Sequence, residues 1–437
     1  MFLGVSVAKV GTKKLQPARK IEGTVVPPGD KSISHRYAIL GAMAEGKTEI
    51  RNFSPSRDCA ATLNCLRKLG VKIVSEGECV TIEGVGLRGF KQPDSLLDAE
   101  NSGTTMRLLA GVLAAQAFDS TLAGDASLSL RPMARLIEPL AQMGARIRAR
   151  DDNYPPLEIS GRPLQSIAYR MPLASAQVKS AILLAGLLAP GETVVEEPVR
   201  TRDHTELALR EFGAEVIVRK RVISVRGSPH LEAKSLVVPG DFSAAMFFLA
   251  AVLLIPDANL VISNVGLNPT RTAALDFLAS LGGRIKILGV EQANGELVGD
   301  LHVEHSTLKG GEISGEQVAA MIDELPILAV IASEMQDGLR IRDAAELRVK
   351  ESDRLGALAE NLRRMGARVS EYPDGLDIEG QQALTGAEIE SFSDHRIAMA
   401  FSIAALIARG ETLIRQADCV DVSYPGFYEA LEKVVEF

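Results

Sequence analysis

The stretch Leu66-Arg67-Lys68-Leu69-Gly70-Val71-Lys72-Ile73 decides the fold, because its pattern recurs along the whole chain. The pattern is the end of an amphipathic helix, then a glycine, then the start of a strand. A glycine suits the left-handed position that follows a helix, where other residues resist a positive φ. The unit is about 70 residues long, and its six copies predict six α/β units. The further copies centre on Gly144, Gly213, Gly282 and Gly366, and the sixth runs from Gly410 to Val435.

A longer repeat lies on top of the short one. Pro28-Gly29-Asp30-Lys31-Ser32 is echoed 211 residues later by Pro239-Gly240-Asp241-Phe242-Ser243, an offset of three units. We therefore expect two domains of three units each, residues 28–239 and residues 1–27 plus 240–437. The chain would cross between them at turns near 27–29 and 239–241. Phe242 is the counterpart of Lys31, so a purely structural turn does not explain the lysine.

Strands and helices alternate within each unit. Strand-like runs include residues 48–53, 192–195 and 260–263, which alternate in polarity or are β-branched. Helices are predicted over 135–142 and 356–364, where apolar residues recur at three- and four-residue spacing. The fold class is therefore α/β, with sheets packed on helices. Because helix-facing positions are rich in Ala and Leu, we expect buried helices and outer sheets.

Composition and charge exclude several classes of protein. The 437 residues are 46% hydrophobic and 24% charged, which is typical of a globular chain too long for one core. A net charge of −8 argues against nucleic-acid binding. The four cysteines lack Cys-x-x-Cys spacing and the six histidines lack His-x-x-x-His spacing, so we expect no metal site and a reducing compartment. Residues 1–15 resemble neither a signal peptide nor a membrane span, and no other apolar run would cross a bilayer, so we expect a cytoplasmic protein.

Two glycine motifs resemble nucleotide sites. Residues 41–48 match the phosphate-loop pattern Gly-x-x-x-x-Gly-Lys-Thr, but that loop must follow a strand and precede a helix. Here a helix from Ser32 to Ala44 comes first, Gly46 ends it, and a strand follows. Residues 84–89 fit the dinucleotide fingerprint, yet no helix opens there, so we expect a hairpin turn and a loop.

Cations stand at the start of a helix in Gly29-Asp30-Lys31-Ser32-Ile33-Ser34-His35-Arg36. Asp30 or Ser32 can cap this helix, which places Lys31 and Arg36 on its first turns. A helix N-terminus carries about half a positive charge, so adjoining cations are unfavourable unless an anion binds among them. The alternative is an exposed basic helix start without a ligand. Recurrence favours the anion, because polar or cationic stretches also precede apolar helices at 101–107, 130–132, 175–179, 201–205 and 393–396.

The combination of motifs resembles the EPSP synthase (3-phosphoshikimate 1-carboxyvinyltransferase) family. The resemblance is carried, between Val26 and Pro425, by residues 29–36, 101–104, 131–133, 348–354 and 394–396. It implies two domains of three βαβαββ units with buried helices and outer sheets, the enolpyruvyl transferase fold or inside-out α/β barrel. It also implies transfer of the enolpyruvyl group of phosphoenolpyruvate to the 5-hydroxyl of shikimate 3-phosphate, in aromatic amino acid biosynthesis. No metal or cofactor is implied, and we expect a monomer.

Matching the family motifs position by position assigns a site. Asp323 is implied as the base for the 5-hydroxyl proton, with a helix cap before Pro326 as the alternative. Glu351 and Lys31 are implied as proton-transfer partners at the methylene carbon. The implied shikimate 3-phosphate positions are Lys31, Ser32, Arg36, Ser175, Ala176, Gln177, Arg202, Asp323 and Lys350. The implied phosphoenolpyruvate positions are Lys31, Gly103, Arg131, Gln177, Arg354 and Arg396.

Three positions bear on how closely the chain follows the family. Ala176 stands where some members have a second serine, and Arg202 could supply the lost phosphate contact. Val422 stands where some members carry a lysine, so phosphoenolpyruvate would be held with one cation fewer. Gly103 is a position where a methyl group hinders the herbicide glyphosate, so we expect glyphosate to fit and to inhibit.

Two other functions fit part of the pattern. The related UDP-N-acetylglucosamine enolpyruvyl transferase uses a loop cysteine, but residues 124–131 contain none. Its lysine-asparagine pair also differs from Lys31-Ser32 here. A phosphometabolite-binding protein with a dead site would lack the proton-transfer groups, whereas Asp323, Glu351 and Lys31 are all present.

Overall fold

A computed structural model describes residues 11–437. The predictions for residues 1–10, as part of the second domain and as neither signal peptide nor membrane span, lie outside the described residues. Residues 11–27 form β1 (Thr12–Leu15) and β2 (Lys20–Val25). The next segment forms α1 (Lys31–Met43), β3 (Glu45–Arg51), α2 (Arg57–Lys68), β4 (Lys72–Glu76), β5 (Cys79–Val85), β6 (Leu97–Asp98), α3 (Gly103–Leu113), β7 (Asp119–Ala123), α4 (Ala134–Gln142), β8 (Arg146–Arg150), β9 (Tyr154–Ser160), β10 (Ala168–Arg170), α5 (Ala176–Leu187), β11 (Glu192–Glu196), α6 (His204–Glu211), β12 (Val216–Arg219), β13 (Val222–Arg226) and β14 (Ser235–Val237).

The remaining residues continue the alternation of helices and strands. They form α7 (Phe242–Leu254), β15 (Asn259–Gly266), α8 (Ala273–Ser280), β16 (Arg284–Ala293), β17 (Glu296–Glu304), β18 (Gly311–Ile313), α9 (Glu316–Met321), α10 (Leu325–Ala332), β19 (Leu339–Ile341), α11 (Arg354–Arg364), β20 (Val369–Tyr372), β21 (Gly375–Ile378), β22 (Glu388–Glu390), α12 (His395–Ile407), β23 (Thr412–Arg415), α13 (Phe427–Val434) and β24 (Val435–Glu436). Short 3₁₀ turns lie at Leu128–Leu130, Ala345–Val349 and Ala417–Val422.

Six small sheets confirm the predicted α/β units. In the sheet β6-β7-β9-β8, the first two strands are parallel and the others antiparallel, which is the βαβαββ order with α3 and α4 as the helices. The sheets β10-β11-β13-β12 and β18-β19-β21-β20 repeat it. The last unit has the shorter sheet β1-β23-β22, which β1 completes from the N-terminal segment.

In two units, the first strand is distant in sequence from the other strands of the unit. β14 pairs in parallel with β3, and β2 pairs in parallel with β15. The chain therefore crosses twice between a first half, residues 28–239, and a second half, residues 11–27 plus 240–437. The crossings lie side by side, since the Asp30 amide donates to the Pro239 carbonyl at 2.8 Å and the Asp241 amide to the Pro28 carbonyl at 2.7 Å.

The buried apolar residues form two clusters, one within each half. Helices α1, α3 and α5 are buried on nearly every residue in the first half, as are α7, α10 and α12 in the second. The sheets cover them and expose alternate side chains to solvent. This confirms the expected buried helices and outer sheets. We propose the domain boundaries predicted above on the same ground.

The predictions made at glycine positions are correct at the ends of repeat helices and partly wrong elsewhere. The five repeat glycines at positions 70, 144, 213, 282 and 366 have φ between +86° and +104°, as predicted for residues that follow a helix. Gly46 was wrongly expected to end α1, which ends at Met43, and Gly46 lies inside β3 with φ +105°. Of the hairpin turn and loop expected at 84–89, a turn and loop are present from Gly86 onward and no helix opens there, but the placement of Gly84 in the turn is wrong. Gly84 lies within β5, where it lets the strand pack on the end of α1. Any other residue would clash there, because a Cβ would stand 2.2 Å from the Ala44 carbonyl oxygen.

Candidate active site

One cavity of about 510 Å³ lies between the two halves, a size common for small-molecule sites. Four buried helices begin at its wall, and a side chain caps each: Asp30 for α1, Ser102 for α3, Ser175 for α5 and Asp394 for α12. Their first turns therefore direct the positive ends of four helix dipoles toward the cavity. This arrangement favours an anionic occupant.

The side chains lining the cavity add to this positive field. Eight are cationic and six are acidic, an excess of two positive charges in a chain whose net charge is −8. The cations are Lys31, Arg107, Arg131, Arg135, Arg202, Arg271, Lys350 and Arg396. The acids are Asp58, Asp241, Asp323, Asp343, Glu346 and Glu351. The cavity thus concentrates positive charge in a chain that is acidic overall.

Asp323 lies among cations from both halves. Its carboxylate accepts a hydrogen bond from Arg202 of the first half and stands 3.7 Å from the guanidinium groups of Arg354 and Arg396. Burial alone would raise the pKa of Asp323, but Arg396, Arg202 and Lys350 hold it well below its usual range. The carboxylate is therefore ionised at neutral pH. The alternative reading as a helix cap is wrong, since α10 begins after Glu324 and has no side-chain cap.

Glu351 and Lys31 face the same space from opposite halves. Glu351 lies 3.2 Å from Arg131 and 2.5 Å from Arg354. Burial opposes its ionisation, yet Arg354 and Arg131 hold the pKa of Glu351 well below its usual range. The Lys31 ammonium donates to Asp58 at 2.7 Å. Burial would lower the pKa of Lys31, but the Asp58 carboxylate outweighs it and raises the pKa.

Two cationic groups keep donors available to a ligand. Lys350 has no carboxylate within ion-pair distance among residues 11–437, and burial lowers its pKa. Arg131 keeps a buried Nε without a protein partner in the same described range. Unpaired donors in a closed cavity are costly unless a ligand satisfies them.

The start of α5 forms a second wall. Ser175 caps the helix, Ala176 is its first residue, and Gln177 turns into the cavity. The Gln177 amide accepts from Arg107 at 2.7 Å and donates to the Thr104 hydroxyl at 2.9 Å. These bonds fix the orientation of the Gln177 side chain.

Twelve of the fourteen predicted site residues line this one cavity: Lys31, Ser32, Gly103, Arg131, Ser175, Ala176, Gln177, Arg202, Asp323, Lys350, Glu351 and Arg396. Arg36 and Arg354 lie behind the wall. Arg36 donates to the Ser32 carbonyl, Thr205 and Ser180, and burial lowers its pKa to about 10. Arg354 donates to Asp394 at 2.8 Å. Val422 ends a 3₁₀ turn and does not line the cavity.

Sequence reasoning missed several lining residues. Asp58 and Arg271 stand in no motif, and they reach the cavity only through packing. Arg107 lies inside the 101–107 stretch, where a cation one turn into an apolar helix was an available signal. Asp241 caps α7 as Asp30 caps α1, so the longer repeat could have identified it. No group of three or more His, Cys, Asp or Glu residues within 11–437 could hold a metal ion, and no helix there is long and apolar enough to span a membrane.

Known proteins resemble the chain over nearly its whole length. The 3-phosphoshikimate 1-carboxyvinyltransferase of Solibacter usitatus is 53% identical over 424 residues, covering 97% of this chain and 100% of that protein. The protein of that name from Brevibacillus brevis is 48% identical, with 96% and 99% covered. EPSP synthase from Acinetobacter baumannii superposes with a TM-score of 0.86 at 43% identity, covering 97% of this chain and 98% of that one. The enolpyruvyl transferase NikO from Streptomyces tendae, with a TM-score of 0.78 and 18% identity over 97% of each chain, shows the fold alone.

Six helix-centred units around one cationic cavity define a transferase of the enolpyruvyl transferase fold. The sequence profile of EPSP synthase (3-phosphoshikimate 1-carboxyvinyltransferase) matches residues 15–431. The chain belongs to the EPSP synthase family.

Proposed function

We propose how this cavity performs the family reaction. The chain transfers the enolpyruvyl group of phosphoenolpyruvate to the 5-hydroxyl of shikimate 3-phosphate and releases phosphate, a step of the shikimate pathway. The observation that supports our assignment is the meeting of Lys31, Asp323 and Glu351 in one cavity whose lining has more cations than acids. Two highly anionic molecules need such a field to approach each other.

Shikimate 3-phosphate binds along the start of α5. Ser175, the Ala176 amide and Gln177 offer donors there, and Arg202 and Lys350 add charge. Ser32 completes this wall. Arg36 acts from behind it, because its guanidinium holds the Ser32 carbonyl at 2.7 Å.

Phosphoenolpyruvate binds beside it, against Lys31, Arg131 and Arg396. Gly103 lets the backbone of α3 approach, since a Cβ there would lie 3.3 Å from an Arg131 nitrogen. Gln177 stands between the two substrates. Arg354 holds Glu351 in place rather than lining the pocket.

Two proton transfers complete the chemistry. Asp323 accepts the 5-hydroxyl proton as that oxygen adds to C2 of phosphoenolpyruvate, while C3 gains a proton from the Lys31 ammonium and becomes a methyl group. Phosphate then leaves, and the ionised Glu351 or the neutral Lys31 amine takes a methyl proton, which restores the double bond. In the free cavity the cations depress the pKa of Asp323. Anionic substrates engage those cations, so its pKa rises toward that of a usable base.

An assay of phosphate release tests the proposal. Purified protein is given phosphoenolpyruvate with shikimate 3-phosphate or with UDP-N-acetylglucosamine, and products are identified by mass. We expect phosphate and an enolpyruvyl adduct with shikimate 3-phosphate only. Turnover of the nucleotide sugar would assign the related transferase, and binding without turnover would assign a dead site.

Three further expectations belong to the same proposal. Glyphosate inhibits by occupying the space beside Gly103, and full activity at millimolar glyphosate would refute this. The enzyme works as a monomer, because one chain supplies every described lining residue. It works in the cytoplasm, an assignment supported by four free cysteine thiols, two of them buried.

A further inference from the structure

Lys179 is a fully buried lysine outside the cavity lining. It lies on α5, two residues after Gln177, and is 0% exposed. Its ammonium stands 3.1 Å from a Glu197 carboxylate oxygen and 2.6 Å from a Glu206 carboxylate oxygen, both of which are equally buried. A buried lysine of this kind is retained only at a cost in desolvation, so its partners indicate its role.

Each glutamate connects Lys179 to a different part of the cavity wall. Glu197 accepts from the Thr201 amide at 3.3 Å and from the Thr201 hydroxyl. Thr201 lines the cavity and directly precedes Arg202, which pairs with Asp323. The 197–202 segment has no regular secondary structure, so this anchor replaces the backbone bonds of a helix or strand.

Glu206 connects Lys179 to the part of the wall formed by α1, through Thr205 and Arg36. It lies on α6 beside Thr205, whose hydroxyl accepts from Arg36 at 2.6 Å. Arg36 also donates to Ser180, which follows Lys179 on α5. The buried cluster thus has two cations and two carboxylates and no net charge.

We infer that Lys179 is a positioning residue for shikimate 3-phosphate. It ties the start of α5, the 197–202 segment and α6 together, and so sets the distance of Arg202 from Ser175 and Gln177. The inference rests on the proposed placement of shikimate 3-phosphate at those three residues. Lys179 itself touches no substrate.

Steady-state kinetics of four variants test the inference. K179M removes the charge at nearly constant volume. K179M combined with E206Q also restores a neutral cluster, R202M probes the substrate placement itself, and K72M on an outer strand is the matched control. KM for each substrate, kcat and the melting temperature are measured for every variant.

We expect K179M to raise KM for shikimate 3-phosphate by about 10- to 100-fold, with KM for phosphoenolpyruvate unchanged. The double variant K179M/E206Q should regain melting temperature while its KM for shikimate 3-phosphate stays raised. If K179M alone is too unstable to purify, the double variant tests the positioning role by itself. KM values that recover along with stability would overturn the positioning role. If R202M has a raised KM for shikimate 3-phosphate but both Lys179 variants have a normal one, the positioning role of Lys179 is wrong and the substrate placement stands. A normal KM in R202M overturns the substrate placement as well.

Discussion

Replacing Asp323 with Asn separates catalysis from binding in this cavity. The carboxylate is implied as the base for the 5-hydroxyl, and general-base catalysis contributes about 10²- to 10⁴-fold. Asparagine keeps the shape but cannot accept the proton. We therefore expect kcat to fall by about that factor.

The same change should tighten substrate binding. At 3.7 Å and an effective dielectric of about 20, each of the pairs with Arg354 and Arg396 is worth about 4 kcal/mol before solvation. Because the Asp323 carboxylate is partly exposed, screening by water reduces this interaction energy to a fraction of that value. A remaining energy of about 1.4 kcal/mol corresponds to a tenfold change in substrate affinity. The neutral amide of the D323N variant no longer competes with the substrates for Arg202 and Arg396. We expect KM to fall by up to about tenfold for phosphoenolpyruvate, which Arg396 holds, and for shikimate 3-phosphate, which Arg202 holds.

Initial rates of phosphate release with each substrate varied in turn provide the assay. D421N is the matched control, because Asp421 pairs with Arg57 across the two halves at 3.1 Å but lies outside the cavity lining. Unchanged kcat in D323N would remove Asp323 from the role of base. A large rise in KM would show that Asp323 binds substrate instead of restraining the cations.

Three further variants probe other parts of the site. Lys31→Met should raise KM for phosphoenolpyruvate by about 10- to 100-fold, since a charged hydrogen bond contributes about 1.5–3 kcal/mol, while Lys47→Met on an exposed strand leaves initial rates unchanged. Gly103→Ala places a Cβ 2.6 Å from an Arg107 nitrogen, so that side chain must shift. Inhibition curves should then show a larger loss of glyphosate affinity than of phosphoenolpyruvate affinity, and equal losses would argue against the assigned position. The pKa of Glu351 is lower in the folded than in the unfolded chain, so the stability it supplies is complete above about pH 5 and is lost as the pH falls. Melting curves of wild type and Glu351→Gln should therefore converge as the pH is lowered from about 5 to about 2, and a constant difference would contradict the assigned pKa direction.

The fold was predictable where it depended on local signals. The repeat glycines need only the chain around them to adopt a positive φ, and all five do. Gly46 and Gly84 were misread because tertiary packing uses them. Gly84 lets a strand pass within contact of the end of α1, and nothing in the neighbouring sequence records that approach.

The site was predictable where motifs coincide with helix starts. Residues such as Lys31, Gly103 and Arg396 each lie in the first turn of a buried helix that reaches the cavity. Asp58 lies in the first turn of α2 and Arg271 in a loop, but neither belongs to a recognised motif, so only the packing of the two halves brings them in. The position of Arg354 behind the wall was equally hidden, because its partner Asp394 lies 40 residues away.

The pairing of the N-terminal strand β2 with the distant β15 sets an order on assembly during synthesis. β2 emerges from the ribosome early, yet its partner β15 begins at Asn259. At about 5–20 residues per second, β2 waits on the order of ten seconds or more without a neighbour. Its sequence Lys20-Ile21-Glu22-Gly23-Thr24-Val25 has only two apolar side chains, with charges and a glycine between them. Such a strand resists pairing with other nascent chains while it waits.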